Sequence, residues 1–203
     1  MSSIITLPSF CYFSDAKIKF TRGSSVLRSK YTGKRQTLAF PYALWVFDGT
    51  LCLMTQAEAL PWRSFLMQLH GQANLFRLPV PGTENGPSTG YAGTVGHVVG
   101  AGQTGNSLVT GGWTPSVGLI VNAGDYFTVN DELKVCTAAD GSAGDGSMTL
   151  YFEPSLRYSP ANSTPITITS PTMLLSLTTD DVEWDLTTPV NHAIAVSGIE
   201  AYE

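Results

Sequence analysis

Apolar and polar residues alternate along most of this chain, in short stretches cut by turn residues. A helical period stands out once. In Lys17-Ile18-Lys19-Phe20 charged and apolar side chains take opposite faces, as a half-buried strand requires. Gly23-Ser24-Ser25 and Thr32-Gly33 read as turns. Gln36 to Phe40 and Leu44 to Phe47 read as strands, the second ended by Asp48-Gly49, and Cys52 to Met54 continues in the same style. The helix follows. Thr55 and Glu58 have capping-box spacing, and Trp62, Phe65, Leu66 and Leu69 make one apolar stripe. Gly71 suits the left-handed stop, and Pro61 either kinks the first turn or marks its first position. Arg63, Gln68 and His70 would face water, so the stripe predicts a helix packed on a sheet.

Leu75, Phe76 and Leu78 then return as a strand, and Pro79 to Gly100 reads as a turn-rich linker or excursion. Short strands are predicted at Leu119 to Asn122, Tyr126 to Val129, Leu133 to Thr137, Met148 to Glu153 and Ile166 to Ile168. Their spacing suggests a small barrel or sandwich, with Asp140 to Gly146 as a hairpin loop. Near the end, Met173, Leu175 and Leu177 share one face. Val182 and Trp184 share another, with Asp181, Glu183 and Asp185 opposite. Ile194 and Val196 form a last strand, in which Gly198 marks a bulge. The expected fold is mainly β: a β-sandwich with one flanking α-helix, built from residues 1–80 and 170–203. An inserted small β-barrel or β-sandwich lobe spans residues 81–169.

Composition sharpens this picture. Charged residues make up only 13% of the 203, about half the usual share, which favours short strands and turns over long surface helices. No run of about 18 apolar residues could span a membrane, and MSSIITLPSF lacks the basic and apolar regions of a signal peptide. Cys11, Cys52 and Cys136 read as buried free thiols in a reducing compartment. The charge is unevenly placed. Residues 1–80 hold nine Lys and Arg against three acids (+6); residues 81–203 hold two against thirteen (−11). The basic segment is rich in Gly, Ser and Thr and poor in stacking aromatics, which argues against specific nucleic-acid binding. A protein that stacks in rings would set a basic surface against an acidic one on its neighbour.

Candidate chemistry is thin. AGQTGNSLVTGGW, Ala101 to Trp113, is glycine-rich but has no Lys or Arg and no amphipathic helix after it, so it reads as a turn or irregular connection rather than a phosphate cradle. His70, His97 and His192 have no nucleophile elbow with them, and the three His and three Cys show no metal-ligand spacing. No catalytic residue, cofactor or metal is predicted. Asp180, Asp181, Glu183 and Asp185 could hold calcium or supply a carboxylate pair for sugar hydrolysis, but they also fit a turn and a solvent-facing strand edge. Trp113 and Tyr126, with Tyr151 and Tyr158, could stack on sugars.

Several stretches together resemble minor tail proteins of tailed bacteriophages, in particular the distal tail protein group. They are YTGKRQTLAFPYALW; PWRSFLMQLHGQANLFRL with its Leu69, Gly71 and Phe76 spacing; GAGQTGNSLVTGGW; AGDYFTVNDELKVCTAADGSAGDGSMTLYFEPSLRYSP; and VEWDL. The resemblance covers roughly residues 25–203. It implies a non-enzymatic virion protein, made in the bacterial cytoplasm, that forms a ring, commonly a hexamer. That ring joins the tail tube to the baseplate hub or tip fibre. The implied partners are other copies of the chain, the tail tube protein and the hub or tip proteins. The genome would pass through without specific binding, and no membrane is involved. The resemblance also implies a tail-tube-like sandwich with a long hairpin reaching a neighbour. On that reading Lys17, Lys19, Arg22, Arg28, Lys30, Lys34 and Arg35 belong to the interface between subunits or rings. The alternatives are a carbohydrate-binding receptor-recognition module using Trp113 and Tyr126, and a cell-wall hydrolase using carboxylates near Asp181 and Glu183.

Overall fold

The computed structural model of the protein describes residues 2–9, 13–91, 95–184 and 193–202, with Pro41 described by its backbone alone. Cys11, Asp185 and His192 therefore lie outside the described residues. The elements are β1 (Ile4–Ile5), β2 (Phe13–Arg28), β3 (Arg35–Leu51), α1 (Gln56–Gln68), β4 (Leu75–Pro79), β5 (His97–Val98), β6 (Gly105–Gly111), β7 (Tyr126–Val129), β8 (Glu132–Ala139), β9 (Met148–Leu156), β10 (Ile166–Thr167), β11 (Thr172–Leu177) and β12 (Ala195–Glu200). The fold is mainly β, with two six-stranded sheets and a single helix among the described residues. The chain divides into two compact units: Met1–Phe76 with Leu175–Ala201, and Arg77–Leu174 with Tyr202–Glu203.

The first unit is organised on a sheet of order β1-β4-β11-β12-β3-β2. β3 is its longest strand, running unbroken through Pro41 and through Asp48-Gly49, where the sequence suggests a stop. Gly49 is not a turn residue. It pairs with Ala16 on one side and Val196 on the other, and a Cβ there would lie 2.6 Å from the Phe47 ring. Glycine makes room for that ring. Towards Leu51 the strand buries every second side chain, Ala43, Trp45, Phe47 and Leu51 included; Phe20 of β2 packs tilted on Trp45, and Phe13 meets Phe47 edge to face. Gly23-Ser24-Ser25, read as a turn, is strand. The β2·β3 register shifts between Arg22 and Ser24, and a Cβ on Gly23 would lie 2.5 Å from the Tyr42 ring. The true turn is Ser29 to Lys34. Its Ser29 hydroxyl accepts the Tyr31 and Thr32 amides, and Gly33 takes a φ of 68°.

α1 starts where its cap predicts. Glu58 accepts hydrogen bonds from the Thr55 N–H (2.9 Å) and hydroxyl (2.8 Å). Pro61 lies inside the helix rather than at its first position. Trp62, Phe65, Leu66 and Leu69 are buried, and Phe65 meets Phe76 of β4 edge to face at 5.6 Å, which seats the helix on the sheet. Arg63 does not simply face water: its guanidinium lies 5.7 Å above the Trp184 ring. After the helix His70 and then Gly71 take left-handed backbone, with φ of 49° and 65°. Gly198, read as a bulge, sits in regular register between Phe47 and Leu177; a Cβ there would crowd Leu175 at 3.0 Å, which accounts for the glycine. Asp181 to Glu183 is irregular chain rather than strand, with a single bridge at Trp184 to Ile194.

The second unit is a nearly closed barrel of order β10-β7-β8-β9-β6-β5. The chain before β10 completes it. Val98 N–H donates to Thr164 O and Ile166 N–H to Gly96 O, each at 2.9 Å, and His97 bridges Pro165. The glycine-rich segment read as a connection is β6, an internal strand between β5 and β9. Its alternation is short but sufficient: Leu108 and Thr110 turn inward while Ser107 and Val109 turn out. Leu119 to Asn122, read as a strand, is irregular, yet Ile120 and Val121 still enter the core with Phe127, Leu150 and Phe152. The β7–β8 turn places Asn130 and Asp131 at φ of 51° and 61°, the two positive angles of a tight hairpin.

Candidate assembly interface

The β2–β3 hairpin changes character along its length. Below Arg22 and Ala43 it is part of the sheet. Beyond the irregularity at Gly23, every described side chain from Ser24 to Phe40 is exposed. Four rises of about 3.4 Å carry the ladder about 14 Å from Ser24 to Arg28, and the Ser29–Lys34 turn adds to that reach. This arm is not polar. Val26 is 48% exposed, Leu27 68%, Leu38 62%, Phe40 44%, and Tyr31 in the turn 99%. Cross-strand pairs set its two faces. One carries Arg28 opposite Arg35 and Val26 opposite Thr37; the other carries Leu27 opposite Gln36 and Ser25 opposite Leu38.

The seven basic residues expected at an interface do not make one patch. Lys17, Lys19 and Arg22 lie on the lower part of β2, where Lys17 pairs with Asp15 at 3.3 Å and Arg22 lies 5.1 Å over the Phe20 ring. Arg28, Lys30, Lys34 and Arg35 cluster at the tip. No acid occurs between Asp15 and Asp48, so the tip charge is uncompensated along the arm. Like charges directly opposite in a ladder repel, and Arg28 and Arg35 are such a pair. Alternation along the chain suggests one buried face for these segments. It therefore missed the arm's exposed apolar residues, Val26, Leu27, Tyr31, Leu38 and Phe40. The signal that could have found them is the matching length of two segments around Ser29 to Lys34 with no acid in either.

The other candidate residues are dispersed. Trp113 is not a sugar platform: it lies in the barrel core, 2% exposed, with its indole N–H donating to the Thr110 hydroxyl at 2.7 Å. Tyr126 is half-buried on β7, while Tyr151 and Tyr158 are exposed. Asp180 holds the turn after α1, accepting the Gln72 N–H at 3.0 Å, while Asp181 and Glu183 are exposed. The Cys136 thiol is pushed up to about 11, by burial first and by the charge of Asp125 second, so it stays protonated at neutral pH. Lys134 and Glu132 form a fully buried ion pair, and Glu132 also accepts the Arg157 and Tyr158 amides. Each charge there is matched inside the fold, which reads as architecture rather than chemistry. Among the described residues no cluster of three or more His, Cys, Asp or Glu could hold a metal, and no helix is long and apolar enough to cross a membrane. No protein-family model matches the chain, and no curated protein matches it.

Proposed function

We propose that the protein is a structural, ring-forming component of a bacteriophage tail, of the distal tail protein kind, whose subunits associate through the β2–β3 arm. The arm is the observation that carries this reading. A two-stranded ribbon with both faces in water is marginal at best on its own, and this one adds five large apolar side chains and four unbalanced cations. Such a segment is stable and soluble when a neighbour covers it. The tail assignment itself rests on the sequence resemblance. In that setting the first unit builds the ring, the barrel of the second unit is an appended lobe, and the ring joins tube to hub or tip. The chain acts by binding rather than catalysis.

Electron microscopy and analytical ultracentrifugation of the full chain test this directly. The expected result is a closed ring, and a monomer when residues 24–39 are replaced by a two-residue turn, with a circular dichroism spectrum that is still that of a folded β chain. A parent chain that stays monomeric at high concentration would overturn the proposal.

A further inference from the structure

The first unit also carries a surface of the opposite kind. A cleft of about 240 Å³ opens beside α1, with Leu66, Leu177 and Val182 lining it and Asp181 and Glu183 among its walls. Both acids are exposed, and neither forms an ion pair with another described residue. The arm tip is its counterpart: Tyr31 stands almost wholly in solvent, with Lys30 beside it in the chain and Lys34 across the turn. Because Tyr31 is 99% exposed, the tip does not occupy the cleft of its own chain.

We propose that the arm tip of one copy docks in this cleft of a second copy, with Tyr31 entering it and Lys30 and Lys34 facing Asp181 and Glu183. This rests on the ring-forming reading and names the surface that receives the arm. An exposed aromatic anchor set between charges of one sign is matched by a cleft lined by both aliphatic and hydroxyl side chains and edged with the other sign, so contact buries the ring and balances the charge. Tip and cleft are different surfaces, so the contact is heterologous. Repeated from copy to copy it generates a ring if the rotation closes. Asp180 takes no part, since its carboxylate holds the Gln72 amide.

Two variants of the full chain test the pairing. The arm variant carries Lys30→Glu, Tyr31→Ser and Lys34→Glu; the cleft variant carries Asp181→Lys and Glu183→Lys. Each alone should associate about 30-fold more weakly or worse, the scale of losing a close interfacial charge pair, with an unchanged circular dichroism spectrum. Mixed in equal amounts they should form a dimer through the one intact tip and the one intact cleft, and larger assemblies only weakly, because the second, charge-swapped pair lacks the Tyr31 anchor. A chain with Lys30→Glu, Lys34→Glu, Asp181→Lys and Glu183→Lys should regain association. If the cleft variant assembles like the parent while the arm variant does not, the tip docks elsewhere: the inference fails and the ring reading stands. If the parent itself never associates, both fail. Should the double cleft variant unfold, Glu183→Lys alone serves, with the same two outcomes.

Discussion

The barrel of the second unit and the arm of the first are made of similar material, short alternating segments rich in Val, Leu, Thr and Tyr, yet they end in opposite states. In the barrel the segment before β10 meets β5, so the backbone ladder nearly closes on itself and Phe127, Leu150 and Phe152 are sealed inside. In the arm, β2 is the edge of its sheet, and side chains on both faces of the ribbon stand in solvent. The barrel closes most of its own ladder around an enclosed apolar core, with Val99, Val109 and Leu119 left exposed outside it. The arm's strands pair only with each other and its apolar side chains stay in solvent, and long exposed edges of this kind are tolerated where a partner covers them. The difference separates stability from association: substitutions in the barrel should act on folding, and those in the arm on assembly.

The largest contrast is in side-chain removal. Phe127→Ala takes away a buried ring that meets Phe152 edge to face at 5.5 Å, and it should cost about 3–5 kcal/mol in denaturant unfolding. Leu27→Ala, on the arm, should cost less than about 0.5 kcal/mol in the monomer. Equal losses would mean the arm is packed and the contrast false. Glycine replacement repeats the test at smaller scale. A Cβ on Gly96 would lie 2.1 Å from the Trp113 ring, which is fixed by its bond to Thr110, so Gly96→Ala should destabilise by about 1–3 kcal/mol. Gly33 has nothing within 4 Å of such a Cβ, so Gly33→Ala meets only the backbone strain of its left-handed turn and should cost about 1 kcal/mol.

The elements that announce themselves in sequence are those whose local chemistry agrees with their packing. The Thr55–Glu58 cap and the Trp62, Phe65, Leu66 and Leu69 stripe coincide with α1, and Tyr126 to Val129 coincides with β7. Glycine was the main source of error. At Gly23, Gly49 and Gly198 it answers a neighbouring ring or methyl group across the sheet, which no local pattern shows, and each reads instead as punctuation. β6 was hidden for a related reason: four glycines among Ala101 to Trp113 mask the inward Leu108 and Thr110. The candidate interface was half legible. Its charge is written in the sequence, from Arg28 to Arg35. Its apolar exposure is not, because Leu27 and Leu38 look like core residues until the partner faces are known.

A charge used inside the fold behaves differently from the charges on the arm, and acid titration separates them. Glu58 is held below the usual carboxylate range by the hydrogen bonds it accepts from the Thr55 amide and then the Thr55 hydroxyl. A carboxylate whose folded value is depressed contributes stability that is complete above its ordinary range and lost as pH falls through the lower folded value. The parent should therefore have a higher thermal midpoint than Glu58→Gln at neutral pH, and the gap should close on acidification below the ordinary glutamate range. A gap that persists in acid would mean the Thr55 bonds do not depend on the ionised carboxylate. No comparable change in monomer stability is expected from neutralising Lys30 or Lys34, whose charges meet no acid within the arm.

The smallest effect is the most discriminating, because stability and association should move in opposite directions. Arg28 and Arg35 face each other across the last pair of the ladder, on the same face, before the Ser29–Lys34 turn. Two like charges there oppose the pairing that holds the arm together, whereas an opposite-charge pair favours it by roughly 0.2–1 kcal/mol. Arg35→Glu should thus make the arm better ordered in the monomer. Slower amide hydrogen exchange at Ser29, whose N–H donates to Lys34 O at 2.9 Å, would report it. If the cations exist to meet an acidic neighbour, the same substitution should weaken self-association, and most at low ionic strength, where screening is least. A tip that gains order and loses affinity has its charges arranged for a partner at the expense of its own ladder. A tip that gains both would show that the arginine pair is a defect of the hairpin and not part of the interface.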